Sequence, residues 1–474
     1  METRRVLHVF VALLLAGAIL SCSFVTQVFT GGNPKPSGQG TSSEDGGSGQ
    51  STTGGVEESC EPIVGTWKPV VFHGLTGRKN TWIMSSAIFD EYVYSTIATV
   101  LSGSLQAGPG TGGEIWRTRD GITWEMVGES GMGNPENVHL IISAWGDRLY
   151  VIAQGPQLFS LWVSQDGQAF HQLQGDWPAN DGASLHVVNS RLVLFIGNLE
   201  EGLQAWASSD GECFEKVLEG GMEDPTNYHT TSLPSLPSLK DWSYLGIRNV
   251  AKGGEVWRSR DGLSWERSLK GGFDDPSNDY VMPQLTYGDH VYVVALNPNG
   301  VNVFRTADGE QWQKVVENGF GLAEHQATSA WLESYKEALY LVTNNDDPRA
   351  WGAAPSSASP GTGSGGGQGG GTGFRLWKAQ DGKSWQQVGK PGFGNPNNWS
   401  AVMNRHRCVF YLVATNNRDG NQVWRSTDGE NWELFFTAPA SQTNYGHGLS
   451  EMFDGLEYFG YDTANGVQIW RYAP

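Results

Sequence analysis

Short apolar runs alternate along the chain with turns rich in Gly, Asp and Asn. The clearest case is the run from Val138 to Trp145, a Gly146-Asp147 turn, and a second run from Arg148 to Ala153. The stretch from Tyr287 to Ala295 repeats this layout around Gly288-Asp289. Runs this short, bounded by turn-forming residues, predict strands joined by hairpins rather than helices.

A second pattern follows these pairs: an aromatic, three residues, Asp-Gly, two residues and another aromatic. It occurs at Trp116–Trp124, Trp162–Phe170, Trp206–Phe214, Trp257–Trp265, Phe304–Trp312, Trp377–Trp385 and Trp424–Trp432. The second aromatics are spaced by 46, 44, 51, 47, 73 and 47 residues. A Gly/Ser-rich insertion at 355–373 accounts for the long step. A period of about 46 residues holds four short strands with their turns.

In each box Gly supplies a positive φ, and the Asp carboxylate accepts nearby backbone N–H groups. Asp120, Asp166, Asp210, Asp261, Asp308, Asp381 and Asp428 are therefore structural, because seven copies cannot all be one active site. An eighth repeat is split. Gly466–Pro474 matches a third strand and stops where the Asp-Gly turn should come, while 65–72, around Trp67, matches the missing fourth strand. The prediction is an all-β chain forming one β-propeller of eight four-stranded blades, closed by pairing of its terminal strands. Seven blades is the alternative. Closure removes exposed edge strands.

Composition narrows the function. Gly 64 and Trp 20 suit tight turns with large rings packed between sheets. The net charge of −19 argues against nucleic acid and against adsorption to anionic lipid. Residues 1–21 read as an export signal, with Arg4 and Arg5 before an apolar run too short to span a membrane. From Gly31 to Ser59 the chain is rich in Gly, Ser, Thr and Pro with almost no apolar residues, so 22–60 reads as a flexible tether, leaving 61–474 for the propeller. Cys60 and Cys408 become neighbours if the ring closes, whereas Cys213 reads as a buried free thiol.

Two resemblances follow from these residues. Ile19-Leu20-Ser21-Cys22 resembles a bacterial lipobox, which implies lipid attachment at Cys22 and a place in the cell envelope or at the cell surface. The Ser/Thr-x-Asp-Gly-x-x-Trp element resembles the Asp-box, or BNR repeat, of sialidase-like and sortilin-like propellers, although Gly follows Asp directly and Ala379 replaces the usual hydroxyl. That resemblance places ligands on the face opposite the boxes and does not specify an activity, since hydrolases, receptors and assembly factors share the element.

A sialidase needs three converging arginines and a Tyr–Glu pair, and no Arg-Ile-Pro motif is present. Arg248, Arg349, Arg405, Arg407 and Arg418 are the non-repetitive arginines, whereas Arg117, Arg258, Arg305, Arg425 and Arg471 follow the repeated aromatic. Glu324, Glu333, Asp346 and Asp347 are the carboxylates a paired-acid glycosidase would draw on. The loops Gly133–Asn137, Glu223–Asn227, Asp274–Asn278 and Gly394–Asn398 read as ordinary turns, with terminal Asn residues placed to ring the channel mouth.

Two loops on the presumed ligand face stand out: Asp346, Asp347, Arg349 and Trp351 at the insertion, and Asn416, Asn417 and Arg418. Their oxygens suit Ca2+, yet without EF-hand spacing a plain hairpin is the preferred reading and no cofactor is expected. The preferred function is a non-enzymatic, monomeric surface lipoprotein binding a glycan or protein, touching membrane only through its lipid. A glycan-active hydrolase is the alternative.

Overall fold

The computed structural model describes residues 64–474 except 72–73, 76, 78–80, 100–110, 156–157, 179–181, 199, 228, 231–234, 323–326, 328, 345–371, 407, 417, 440–445, 454–455 and 464–465. The export signal, Cys22, the tether and Cys60 thus lie outside the described residues.

The strands form eight antiparallel sheets. Seven follow the chain without crossover: blade 1 (81–127), blade 2 (139–172), blade 3 (182–218), blade 4 (229–269), blade 5 (280–316), blade 6 (329–388) and blade 7 (400–437). Blade 8 takes Gly446–Phe453, Leu456–Asp462 and Gln468–Ala473 from one end of the ring sequence, and Thr66–Val71 from the other. Trp67 lies opposite Tyr472, and Pro69 opposite Trp470. Eight blades, closed by the terminal strands, is the observed architecture.

First strands abut one another around the axis, second and third strands such as Ala338–Asn344 and Gln204–Ser208 are the most buried, and fourth strands such as Glu125–Val127 and Glu215–Leu218 face outward. Blade 4 departs from the plan. Its inner strand is in two pieces, His229–Thr230 and Ser238–Leu239, with Pro237 just before the second. Proline has no N–H to give a ladder, and the one inside the blade 5 inner strand, Pro283, is accompanied by a register shift.

All seven boxes share one turn. The Asp Oδ1 accepts the backbone N–H groups two and three residues on, at 2.7–2.9 Å. These bonds hold Asp120, Asp210 and Asp381 down at about 2. In five boxes a Ser or Thr hydroxyl also accepts the Gly N–H, at 2.8–2.9 Å.

The Gly after Asp has a second cause beyond its positive φ. In six boxes a Cβ there would run into a Tyr hydroxyl from the second strand of the preceding blade. The pairs are Tyr458–Gly121, Tyr94–Gly167, Tyr150–Gly211, Tyr244–Gly309, Tyr292–Gly382 and Tyr340–Gly429. Two seams differ. Between blades 3 and 4 Val193 replaces the Tyr, and Gly262 faces its Cγ2 at 2.9 Å. Between blades 7 and 8, where no box exists, the Tyr411 hydroxyl donates to the Glu457 carboxylate.

Charge is distributed unevenly. Residues 229–272, spanning blade 4, carry seven Lys/Arg against four Asp/Glu. Residues 182–228 and 273–328 on either side each carry two against eight. Ion pairs cross both seams: Lys252–Asp224 at 2.6 Å and Arg267–Glu223 at 3.2 Å on one side, Arg248–Asp279 at 3.1 Å and Arg258–Glu310 at 3.5 Å on the other.

Cys213 is free, but it is exposed at the tip of its box rather than buried. The box turn faces solvent, so the position after Glu212 has nothing to pack beneath. Cys408 is disulfide-bonded.

Candidate functional site

The loop face is built on a repeated knuckle. Gly131-Met132, Gly221-Met222, Gly272-Phe273, Gly319-Phe320 and Gly392-Phe393 each place two successive residues at positive φ, between 51° and 70°. A Met or Phe there is strained. Burial of the side chain opposes that strain: Phe273 stacks on Phe304 at 3.6 Å and Phe320 on Trp377 at 3.8 Å, each ring belonging to the following blade.

The Asn ending four of these loops is buried and holds its turn together, in keeping with the ordinary-turn reading rather than with a polar ring at the channel mouth. Asn137, Asn227, Asn278 and Asn398 donate to the knuckle Gly carbonyls at 2.8–3.1 Å. The carbonyls of these Asn accept from the third strand of the preceding blade, at 2.7–2.8 Å. Asn249, Asn297 and Asn416, on the loops joining second to third strands, then donate to Asn227, Asn278 and Asn398 at 2.8–2.9 Å. A buried amide is costly unless paired, and here each supports its neighbour. The two loop sets are clipped into one rigid surface.

Variable residues stand on this frame. Directly after the loop Asn come Val138, Asp279 and Trp399. Asp279 accepts both Nε and Nη2 of Arg248 at 3.3 and 3.1 Å, and the guanidinium lies over Tyr280 at 5.8 Å. Trp399, at the loop-face end of the inner strand Ser400–His406, is half-buried, and its indole N–H has no hydrogen-bond partner. Nearby, Asp419 accepts amides from Asn397, Asn395 and Asn416 at 2.8, 2.9 and 3.3 Å, which lower its carboxyl below the ordinary range. Arg418 beside it is exposed. Half-buried His139 begins the inner strand of blade 2, and burial pulls its imidazole down to about 4, so it is neutral.

The residues singled out from sequence fare differently. Asn416 is buried, with Oδ1 accepting the N–H groups of Arg418 and Asp419. It is a cap that shapes the loop, and Arg418 is the member facing solvent. Asp346, Asp347, Arg349, Trp351, Asn417, Glu324 and Arg407 lie outside the described residues. Glu333 is buried and paired with Arg405 at 3.6 Å.

Among the described residues no three arginines converge on the loop face. Arg117, Arg258 and Arg305 reach the next blade's box carbonyls, and Arg425 pairs with Glu433. Their guanidiniums or stems cover rings, as with Arg425 over Phe435 at 4.0 Å. The Tyr411–Glu457 pair is at the box end, and burial with the adjacent carboxylate pushes the Tyr411 hydroxyl up, the reverse of what a nucleophile needs. No cluster of His, Cys, Asp or Glu suited to a metal ion occurs among the described residues.

The sequence reading missed Trp399 and the Arg248–Asp279–Tyr280 group. Aligning the position after each loop Asn would have exposed them, because the identity changes there while the Asn stays.

No family model and no curated protein matches the chain. Solved structures similar to it include a prolyl endopeptidase, with 12% identity and a TM-score of 0.46, covering 81% of this chain and 55% of that one. A puromycin hydrolase has 10% identity and a TM-score of 0.43, covering 79% and 58%. Prolyl oligopeptidase B from Galerina marginata has 9% identity and a TM-score of 0.46, covering 81% and 56%. The chain spans little more than half the length of each. Two of these are prolyl peptidases and one is a puromycin hydrolase, none of them named as sialidase-like, and at such identities the likeness concerns the fold.

Proposed function

We propose that this protein is a non-enzymatic, lipid-anchored surface propeller whose loop face binds a glycan or protein ligand. The seven boxes are read as Asp-box repeats serving as scaffold, and Cys22 as the lipidated residue. The observation that carries the reading is Trp399. Its half-buried ring, held at the loop face by the Asn398 knuckle, suits stacking against a sugar ring or an apolar side chain, while its indole nitrogen is buried and takes no part in the contact. Arg418 extends the contact surface on a neighbouring loop, and Asp346, Asp347, Arg349 and Trp351, which lie outside the described residues, are proposed as further ligand contacts on sequence grounds.

The test uses the purified chain on a glycan array alongside a fluorogenic sialoside. Trp399→Ala and Arg418→Ala should each lose binding at least several-fold with the melting temperature unchanged. Turnover of the sialoside, abolished by a loop-face carboxylate change, would replace binding with hydrolysis. Anchoring is tested separately, since Cys22→Ser should release the protein from membranes.

A further inference from the structure

The seven Asp-Gly pairs are chemically alike but not equally protected. The Gly amide nitrogen after an Asp can attack the carboxyl carbon, and Gly offers no Cβ to obstruct it. In five boxes that nitrogen donates to the Ser or Thr hydroxyl of the same box, Thr118, Ser208, Ser259, Thr306 or Ser426, at 2.8–2.9 Å. In the blade 2 box Ser164 is present, and its Oγ donates to Asp166. The blade 6 box has Ala379 at this position, so no hydroxyl stands over the Gly382 N–H.

A second feature coincides there. Arg305 donates Nη1 to the Asp381 carbonyl at 2.9 Å. A cation on a peptide oxygen draws electron density from the amide and makes its N–H more acidic. Arg258 does the same to the Asp308 carbonyl at 2.6 Å, but Thr306 holds the Gly309 N–H in that box. Only the blade 6 box combines a polarised carbonyl with an unclamped nitrogen.

We infer that Asp381 is a self-modification site at which the chain isomerises through a succinimide. The Gly382 nitrogen bonds to Asp381 Cγ, and one carboxyl oxygen leaves as water, taking the amide proton and one proton from the medium. Water then adds to the former backbone carbonyl and breaks its bond to nitrogen, so the main chain runs on through Cγ as isoaspartate. Nothing is oxidised or reduced. The carbonyl that Arg305 held becomes a carboxylate on a side branch, which changes the fastening of the seam between blades 5 and 6.

The full chain, aged for weeks at neutral pH, should be digested and mapped with an isoaspartyl methyltransferase. Isoaspartate at 381 should exceed that at each of the five clamped boxes by roughly fivefold, about what one hydrogen bond is worth in rate, and should exceed that at 166, whose carbonyl takes no arginine among the described residues. Ala379→Ser, which installs the hydroxyl five other boxes use, should bring 381 down to their level. Arg305→Gln should slow it in part; if that variant does not fold, the Ala379→Ser result decides. Urea-unfolded chain should isomerise similarly at all seven. Even isomerisation across the folded boxes, no isomerisation at 381, or an Ala379→Ser rate equal to the parent's overturns the inference.

Discussion

Blade 3 has two seams, and they are fastened differently. Toward blade 2, Tyr150 is fully buried and its hydroxyl donates to the Gly211 carbonyl at 3.1 Å. Toward blade 4, Val193 offers no donor, and two ion pairs from a basic blade to an acidic one cross the gap instead. The first seam sets one ion pair, Arg148 to Glu212, beside that steric contact. The second packs Val188, Val193 and Phe195 against Leu245 and Ile247, adds its two ion pairs, which are more exposed, and sits beside the broken inner strand of blade 4.

The contrast breaks most visibly at the glycines. Gly211→Ala sets a methyl against the Tyr150 hydroxyl at a φ of 76° and should cost about 2–4 kcal/mol. Gly262→Ala meets only Val193 and Val188 at 2.9 and 3.3 Å and should cost about half as much. Equal losses in urea denaturation would mean the tyrosine does not dictate the glycine. Next comes Tyr411→Phe, which takes a donor from the buried Glu457 and should cost about 2–3 kcal/mol, against about 1 for Tyr150→Phe, where the acceptor is a neutral carbonyl.

Smaller effects sharpen the electrostatic side. Asp224→Asn should cost about 1 kcal/mol or less, and the difference should shrink as salt rises from low to molar concentration, while that of Tyr150→Phe should not move. Burial pushes Tyr150 up to about 12, from 10.0 in the unfolded chain, so its contribution is complete below pH 10 and fades as pH rises toward 12. Tyr150→Phe should shrink that alkaline limb by one tyrosine's share, since burial also raises Tyr94, Tyr244, Tyr292, Tyr340 and Tyr461. The box aspartates act oppositely: Asp120 and Asp381, held at about 2 from an unfolded 3.8, contribute fully above pH 4 and lose this as pH falls toward 2. A circular-dichroism titration reads both limbs.

The eight blades and their closure were legible because the boxes repeat at one period and each turn is determined by its own residues. What depends on neighbouring blades was not legible. The tyrosines on the second strands read as ordinary strand aromatics, and only the ring brings Tyr94 to Gly167, 73 residues away in sequence. The terminal loop Asn residues looked ligand-facing because Asn is polar, yet the knuckle buries them against carbonyls that sequence spacing does not reveal. Trp399 was hidden for the same reason, as its unpaired N–H is a property of its surroundings.

Blade 8 joins Thr66–Val71 to Gln468–Ala473. As the chain is synthesised, Thr66–Val71 has no partner until Gln468–Ala473 has emerged. The ring therefore closes late, through a contact of very long sequence separation, which makes closure slow and exposes the waiting strand to pairing with other chains. A premature stop anywhere before Gln468 would strand that first segment, so even a truncation removing only the final few residues becomes a defect of the whole ring.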